Sequence, residues 1–363
     1  MSAFTDFPFD LDLASAHTLP SRVYRDPAVL EAERDRIFGR TWQWAATTDQ
    51  LAAPGSYLTA TVGREPLVLV RDEAGALRAF SAVCRHRAGP VALGSGHAKA
   101  LRCAYHGWTY GLDGRLKAAP EFDGVQGFDK AACRLPEFRV ETWGPWVFVN
   151  LEAAAPPLAE TLGEILQETA HWRLDRLRAV RAVDYELACD WKVYVDNYLE
   201  GYHIPVAHPE LHRQLDYAAY RVETRRWHSR QHAPVRAKDT LYHRAASLKE
   251  GEVPEAAYYW VFPNLMFNLY PDNVQLNLIE PLGPGRTRTR FVWFVDDHSR
   301  PGLDAMLDES LAFSDSVQQE DILLCEAVQR GLGSATYDRG RYSHKRENGL
   351  HHFHQLWMDA MKG

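Results

Sequence analysis

The stretch 84-CRHRAGPVALGSGHAKALRCAYHGWTYGLDG-114 decides how this chain is read. It sets Cys84 and His86 two apart and, after sixteen intervening residues, Cys103 and His106 three apart. Two thiolates and two imidazoles from two short loops are the donors of a [2Fe–2S] cluster in which His replaces Cys on one iron. A Cys₂His₂ zinc site needs the same donor types at tetrahedral geometry and is the physical competitor. Zinc fingers pair Cys with Cys and His with His along the chain. Here each loop carries one of each, so each can touch both irons. Beyond His106, a Gly-Trp step leads into a strand that ends in an Asp113-Gly114 hairpin turn. The segment reads as redox loops on a β-rich scaffold.

Working outward, β-type segments run from Gly55 to about Leu151: SYLTATVG, PLVLVRD, LRAFSAVC, FRVETW and PWVFVNL, bounded by Gly, Pro and Asp. Upstream, DPAVLEAERDRIFGRTWQW predicts a helix over 27–45, with Val29, Leu30, Ile37, Phe38 and Trp42 roughly on one face. Downstream, EAAAPPLAE at 152–160 has linker composition. Then follow a helix near 157–173, a strand near 179–189, a helix from Asp190, strands over about 218–296 and a long helix over about 301–330. No internal repeat interrupts this order. The fold class is α+β, and the expected division is an N-terminal segment and helix (1–40), a cluster domain (41–155) and a larger domain (156–363).

A chain of 363 residues suits more than one core. Its 46% apolar and 25% charged residues are ordinary for a soluble globular protein, and its net charge of −7 argues against a nucleic-acid partner. No apolar run is long enough to span a bilayer, and the acidic N-terminus lacks a basic-then-apolar signal pattern. A cytoplasmic protein is expected. Of five cysteines, Cys133, Cys189 and Cys325 are left after the two cluster candidates and read as free buried thiols.

A cluster moves electrons without acting on a substrate, so the second half must hold what the electrons serve. The run 190-DWKVYVDNYLEGYHIPVAHPELH-212 offers Asp190 as a helix N-cap, and Glu200 and His203 at i, i+3 on one helical face. His208 follows His203 by five residues across Pro205, so the helix must loosen there. Two histidines from a disrupted helix suit the 2-His-1-carboxylate triad of non-haem Fe(II) oxygenases. The long helix supplies the carboxylate: Asp321 falls on a stripe with Val317, Leu324 and Val328, where an acid is costly unless bound, and Glu320 points to solvent. His212 reads as structural, with a His208–His212 zinc pair as its alternative. HHFH at 351–354 reads as packing and surface.

With both donor sets in place, the chain closely resembles the large (α) subunit of the Rieske non-haem iron oxygenases, the ring-hydroxylating oxygenase superfamily. LPSRVYRDPAVLEAERDRIFGRTWQW, the CRH…CAYHGWTY block, NYLEGYHIPVAHP and EDILLCEAVQRGL carry the resemblance over nearly the whole length. It implies a Rieske domain and a helix-grip (START-like) catalytic domain with a curved antiparallel sheet over a long C-terminal helix. It implies Cys84 and Cys103 on one cluster iron, His86 and His106 on the other, and a mononuclear Fe(II) on His203, His208 and Asp321. It also implies a head-to-tail homotrimer in which Glu200 links His203 to a neighbouring His106. Ring dioxygenases usually carry Asp where this chain has Glu200. NYLEGYHIPVAHP and the closing RENGLHHFHQLW resemble the branch that oxidises carnitine, choline and glycine betaine.

The activity so implied is a terminal oxygenase, a monooxygenase by preference. It would use O2 and electrons from a separate NAD(P)H-dependent flavin/iron–sulfur reductase to hydroxylate or demethylate a small quaternary ammonium compound. This chain has no G-x-G-x-x-G of its own. An aromatic ring-hydroxylating dioxygenase is the alternative. A pure electron carrier would leave the residues after Leu151 without a purpose. Among Tyr258, Tyr259, Trp260, Phe262, Phe267 and Tyr270, some faces could hold a cation by cation–π attraction, and most should fill the core.

Overall fold

The computed structural model describes residues 4–172, 174–236, 255–270 and 273–362. It divides the chain into two compact units, Arg34–Glu160 and Met1–Glu33 with Thr161–Gly363. Helix α1 (Pro27–Glu33) passes into one π-helical turn, Arg34–Phe38, and stops. The helix expected to reach residue 45 is therefore shorter. Gly39 N–H closes the turn on Arg34 O, the Thr41 hydroxyl donates to Ile37 O, and Gln43 already begins a strand. The aromatic run around Trp42 and Trp44 has strand propensity and finds a strand partner.

The Arg34–Glu160 unit is all-β. Its strands are β1 (Gln43–Thr47), β2 (Ser56–Val62), β3 (Glu65–Arg71), β4 (Leu77–Ser81), β5 (Ser95–His97), β6 (Ala100–Arg102), β7 (Thr109–Gly111), β8 (Leu116–Ala118), β9 (Glu137–Trp143) and β10 (Trp146–Asn150). A seven-stranded sheet runs in the order β1-β10-β9-β4-β3-β2-β5, and β6-β7-β8 form a small separate sheet. Val68, Phe80, Tyr110, Leu116 and Leu135 make the apolar cluster that also takes in Cys84 and Cys103.

In the other unit, the helix expected over 157–173 is broken into α2 (Leu158–Leu162), α3 (Ile165–Glu168) and a 3₁₀ turn, with Gly163 at φ +53° ending the first piece. Strand β11 (Arg178–Leu187) leads to α4 (Trp191–Tyr198), and Asp190 caps it by accepting from Lys192 N–H at 3.0 Å. Short helices α5 (Ile204–Ala207) and α6 (Pro209–Gln214) follow. Strands β12 (Arg221–Thr224), β13 (His228–Pro234), β14 (Glu255–Val261), β15 (Leu265–Tyr270), β16 (Asn273–Gly283) and β17 (Arg286–Val295) precede α7 (Leu303–Leu332) and α8 (Asn348–Lys362). The sheet order β11-β17-β16-β15-β14-β13-β12 is antiparallel throughout.

A buried ion cluster fixes α4. Lys192, fully buried, pairs with Glu33 of α1 at 2.8 Å and Asp190 at 2.7 Å. Glu33 also accepts from the indoles of Trp191 and Trp357, at 2.8 and 2.6 Å. Such a cluster is retained only if every member is satisfied, because an uncompensated buried charge costs about 3–5 kcal/mol. Here it ties α1, α4 and α8 together. Among the described residues no helix is long and apolar enough to cross a membrane.

Candidate metal centres

The two cluster loops repeat one backbone turn. In the first, Ala88 N–H donates to Cys84 O and Cys84 N–H donates to Gly89 O. In the second, Gly107 N–H donates to Cys103 O and Cys103 N–H to Trp108 O. The residue four after each Cys has positive φ, Ala88 at 56° and Gly107 at 73°. This turn presents a buried thiol at its start and an imidazole two or three residues on. Cys84 and Cys103 are buried, His86 is half-buried and His106 exposed. The two imidazoles meet at 4.6 Å between ring centres, and Trp108 stacks flat on His86 at 5.0 Å. A Cβ at Gly89 would stand 2.9 Å from Cys103 Sγ, so only glycine leaves that sulfur its space. Arg85 N–H donates to Tyr110 Oη, which leaves the Tyr110 proton for Cys84 Sγ at 3.3 Å. Sulfur donors within and nitrogen donors without fit a cluster of mixed ligation.

In the second unit, the structure brings His203, His208 and Asp321 together, with one ligand atom from each lying within 4.8 Å of the others. The route differs from the one read in the sequence. Helix α4 ends at Tyr198, so Glu200 and His203 do not share a helical face. Glu200 instead folds back in a turn, its carboxylate accepting from the N–H groups of Tyr202 and His203 and from His203 Nδ1, the last at 2.5 Å. Gly201 permits this turn because a Cβ there would strike the Tyr220 ring at 2.7 Å. His208 sits between α5 and α6, each of which has a proline in its first turn, as the loosening at Pro205 requires.

Asp321 Oδ1 lies 3.0 Å from His208 Nε2 and 3.8 Å from His203 Nε2, and Asn197 donates to it at 2.6 Å. The stripe used to choose Asp321 is not the buried face of α7. Leu324 and Val328 are exposed, and the buried residues are Leu303, Leu307, Gln318, Cys325 and Leu332. Asp321 nonetheless stands one turn from both Gln318 and Cys325 and faces inward. Glu320 is also corrected. It does not simply point to solvent, for its Oε2 accepts a hydrogen bond from His208 Nδ1 at 2.6 Å. Adjacency to Asp321 is the only signal the sequence offers, and it does not reveal side-chain direction.

With Nδ1–H committed to Glu320, His208 Nε2 and Asp321 Oδ1 are two acceptors face to face. A proton on Nε2 or a metal cation between them makes that favourable. Burial works against charge on His208, but Asp321 and Glu320 outweigh it and raise its pKa above the usual imidazole value. Two imidazoles and one carboxylate converging on a point fit a mononuclear ion with open positions.

The triad lines a cavity. Part of its lining is an amide ladder across paired strands. Tyr198 donates to Asn268 (2.7 Å), Asn268 to Gln275 (2.9 Å) and Gln275 to Ser314 of α7 (2.9 Å). Tyr220, Tyr258, Tyr270, Phe291 and Phe313 supply aromatic walls, and Glu200 and Asp321 are the acids. No lysine or arginine stands among the described lining residues. Of the six candidate aromatics, Tyr258 and Tyr270 reach the cavity, whereas Tyr259, Trp260, Phe262 and Phe267 are buried core. His212 packs edge-on to Tyr217 and takes no part. None of 351–354 is a surface side chain: His351 stacks on Phe9, and His354 is enclosed by Tyr24, Asp196 and Tyr342.

Comparison with known proteins agrees over the whole length. The Rieske [2Fe-2S] domain model matches residues 41–129, and the ring hydroxylating alpha subunit (catalytic domain) model matches residues 174–363. The chain is 36% identical to the chloroplastic choline monooxygenase of Arabidopsis thaliana, across 99% of this chain and 86% of that one. Identity to the carnitine monooxygenase oxygenase subunit of Acinetobacter pittii is 32%, covering 93% and 91%. The quaternary ammonium Rieske monooxygenase CntA, solved with L-carnitine, superposes with a TM-score of 0.84 at 28% identity, covering 98% and 99%. Naphthalene 1,2-dioxygenase from Rhodococcus shares the fold at TM-score 0.77 and 22% identity, covering 95% and 94%.

Proposed function

The chain belongs to the ring-hydroxylating α-subunit family of Rieske oxygenases, and from that membership we propose that it oxygenates a small quaternary ammonium compound. It is the oxygenase subunit of a multicomponent system and takes its electrons from a separate reductase. We assign the [2Fe–2S] cluster to Cys84, His86, Cys103 and His106, and the mononuclear Fe(II) to His203, His208 and Asp321. When bound, the cluster delivers single electrons and the iron activates dioxygen; the protein supplies everything else.

The observation that carries the substrate reading is the cavity lining. Glu200, seven tyrosine and phenylalanine side chains and a row of neutral amides line the cavity with the triad, without a competing lysine or arginine among the described residues. A trimethylammonium head has no N–H to donate. Aromatic faces and diffuse negative charge are what can hold it. The amide ladder is engaged internally, so it keeps its shape and places the substrate without needing water to satisfy it. Tyr198, half-buried in the cavity wall, stays protonated because burial pushes its pKa well above that of a free phenol.

Glu200 holds His203 through Nδ1 and leaves Nε2 toward the triad. We extend the proposal to a homotrimer in which Glu200 also meets His106 of an adjacent copy and carries electrons between them. What supports this is the two surfaces taken separately. His106 is exposed beside Arg87, while Glu200 also lines a second cleft with Asp196 and Glu347.

Oxygen uptake with a surrogate reductase and NADH tests the substrate class. Choline, carnitine and glycine betaine should include a compound that stimulates uptake and yields an oxygenated or demethylated product in equal amount. Stimulation by aromatic acids or naphthalene alone would overturn the assignment.

A further inference from the structure

Glu320 and Asp321 are neighbours in sequence, yet their carboxylates sit at opposite nitrogens of a single imidazole. His208 Nδ1 is 2.6 Å from Glu320 Oε2, and Nε2 is 3.0 Å from Asp321 Oδ1. At the other histidine, Nδ1 is 2.5 Å from Glu200 Oε1, and Nε2 turns toward the same Asp321 oxygen. Each ring thus has its own acid on the side away from the triad.

His208 needs such a restraint more than His203 does. It lies outside both flanking helices, at φ −121° and ψ 73°, so no helical rotamer fixes its ring. Its side chain is 1% exposed, and the Glu320 carboxylate reaches it from a rim position where 38% of that side chain is exposed. A neutral imidazole has one proton and two nitrogens, and its partner decides which nitrogen is free.

We propose that Glu320 is a positioning residue of the catalytic metal site. It holds the His208 proton on Nδ1 and thereby presents the Nε2 lone pair to the metal. This rests on the assignment of His203, His208 and Asp321 as ligands, and extends it to a residue that touches neither metal nor substrate. Carboxylates behind a metal-bound histidine orient the ring and raise its basicity.

The test is Co(II) affinity of protein freed of mononuclear metal with its cluster intact. It compares wild type, Glu320→Gln, Glu320→Leu, His208→Ala and, as a charge control on the same helix, Asp308→Asn. Glu320→Leu should bind Co(II) roughly 10–100-fold more weakly, the range seen when such partners are removed. Glu320→Gln should fall between, because its amide oxygen still accepts from Nδ1–H. Asp308, exposed and distant from the triad, should change nothing. The Co(II) protein also gives a direct signature. The exchangeable Nδ1–H resonance of His208, shifted by the paramagnetic ion, should persist in Glu320→Gln and vanish in Glu320→Leu.

Affinity of Glu320→Leu within twofold of wild type, with that resonance retained, overturns the proposal. Should that variant lose its cluster spectrum and fold, the isosteric Glu320→Gln decides by its affinity: the proposal stands if binding weakens and fails if it does not. His208→Ala separates the two levels. If it binds Co(II) normally, the ligand assignment itself has failed. If it loses binding while Glu320→Leu does not, only the role of Glu320 falls.

Discussion

At the cluster loops, Cys84 and Cys103 open turns that repeat each other hydrogen bond for hydrogen bond. At the triad, the donors come from separate parts of the chain: His203 and His208 cap the two ends of α5, and Asp321 lies within a 30-residue helix. The cluster loops are held by their own backbone, with each donor within three residues of its partner. The triad is held by side chains from elsewhere: Glu200, Glu320 and Asn197. A site built locally survives changes in distant elements, while one built by convergence transmits them. The comparison can therefore be broken by perturbing one centre and watching the other.

The largest effect is expected from the triad. Asp321→Ala should lose the mononuclear iron and all product formation while leaving the cluster spectrum as it was. Metal analysis and the electron paramagnetic resonance signal of the reduced cluster are the two readings. Coupled loss of both centres would mean that the units do not assemble their metals independently.

Glu200→Gln should come next. Both metals should remain bound, yet single-turnover oxidation of the reduced cluster, with oxygen and substrate present, should slow about 10–100-fold. Gln keeps an acceptor for the backbone N–H groups of Tyr202 and His203, so the turn itself should stand. An unchanged rate would reduce Glu200 to a capping residue and remove the support for transfer between copies.

This contrast also explains what the sequence reveals. The residues we assign to the cluster are legible because spacing within a loop is a local property. His203 and His208 are legible for the same reason, and the break between them follows from proline chemistry at 205. Asp321 is found by its helix, but the stripe beside it misleads, since Leu324 and Val328 stand in water. Glu320 is missed because helix phase gives the direction of Cα–Cβ and not the reach of a flexible acid to a ring 112 residues away. The aromatics show the same limit. Tyr258 and Trp260 share a strand face, but α8 covers the Trp260 end, with Phe353 edge-on at 5.4 Å, and leaves the Tyr258 end to line the cavity. The helix expected over 27–45 fails because strand pairing for Gln43–Thr47 overrides the periodicity.

A smaller effect distinguishes the two units by pH. His352 of α8 is half-buried, with its Nε2 enclosed and unpartnered, and burial takes its pKa down to about 4 from 6.5. Above pH 6.5 both folded and unfolded chains hold it neutral, so its contribution is fully present. Between 6.5 and 4 the unfolded chain binds a proton that the folded chain refuses, and stability falls as pH falls. The loss completes below pH 4 at about 3 kcal/mol. In His352→Gln this slope should disappear, so that urea midpoints at pH 7 and 4.5 differ less than in wild type. An identical pH dependence would show that His352 titrates normally.

The smallest effect belongs to the cluster loops, where a single hydrogen bond can be removed without disturbing the turn. Tyr110 Oη accepts from Arg85 N–H at 3.0 Å, so its own proton is directed at Cys84 Sγ, 3.3 Å away. Coordinated sulfur carries more negative charge when the cluster is reduced, and a donor to it favours that state. Tyr110→Phe removes the donor and keeps the ring, which is fully buried in the apolar cluster beneath the loops. The midpoint potential should fall by about 30–60 mV, the equivalent of roughly 1 kcal/mol for one electron. The mononuclear metal content should not change, because the triad owes nothing to this bond. Redox titration of the cluster absorption measures the shift. A potential that stays put would place the Tyr110 proton elsewhere, and would leave the backbone turns alone to set the electronics of Cys84.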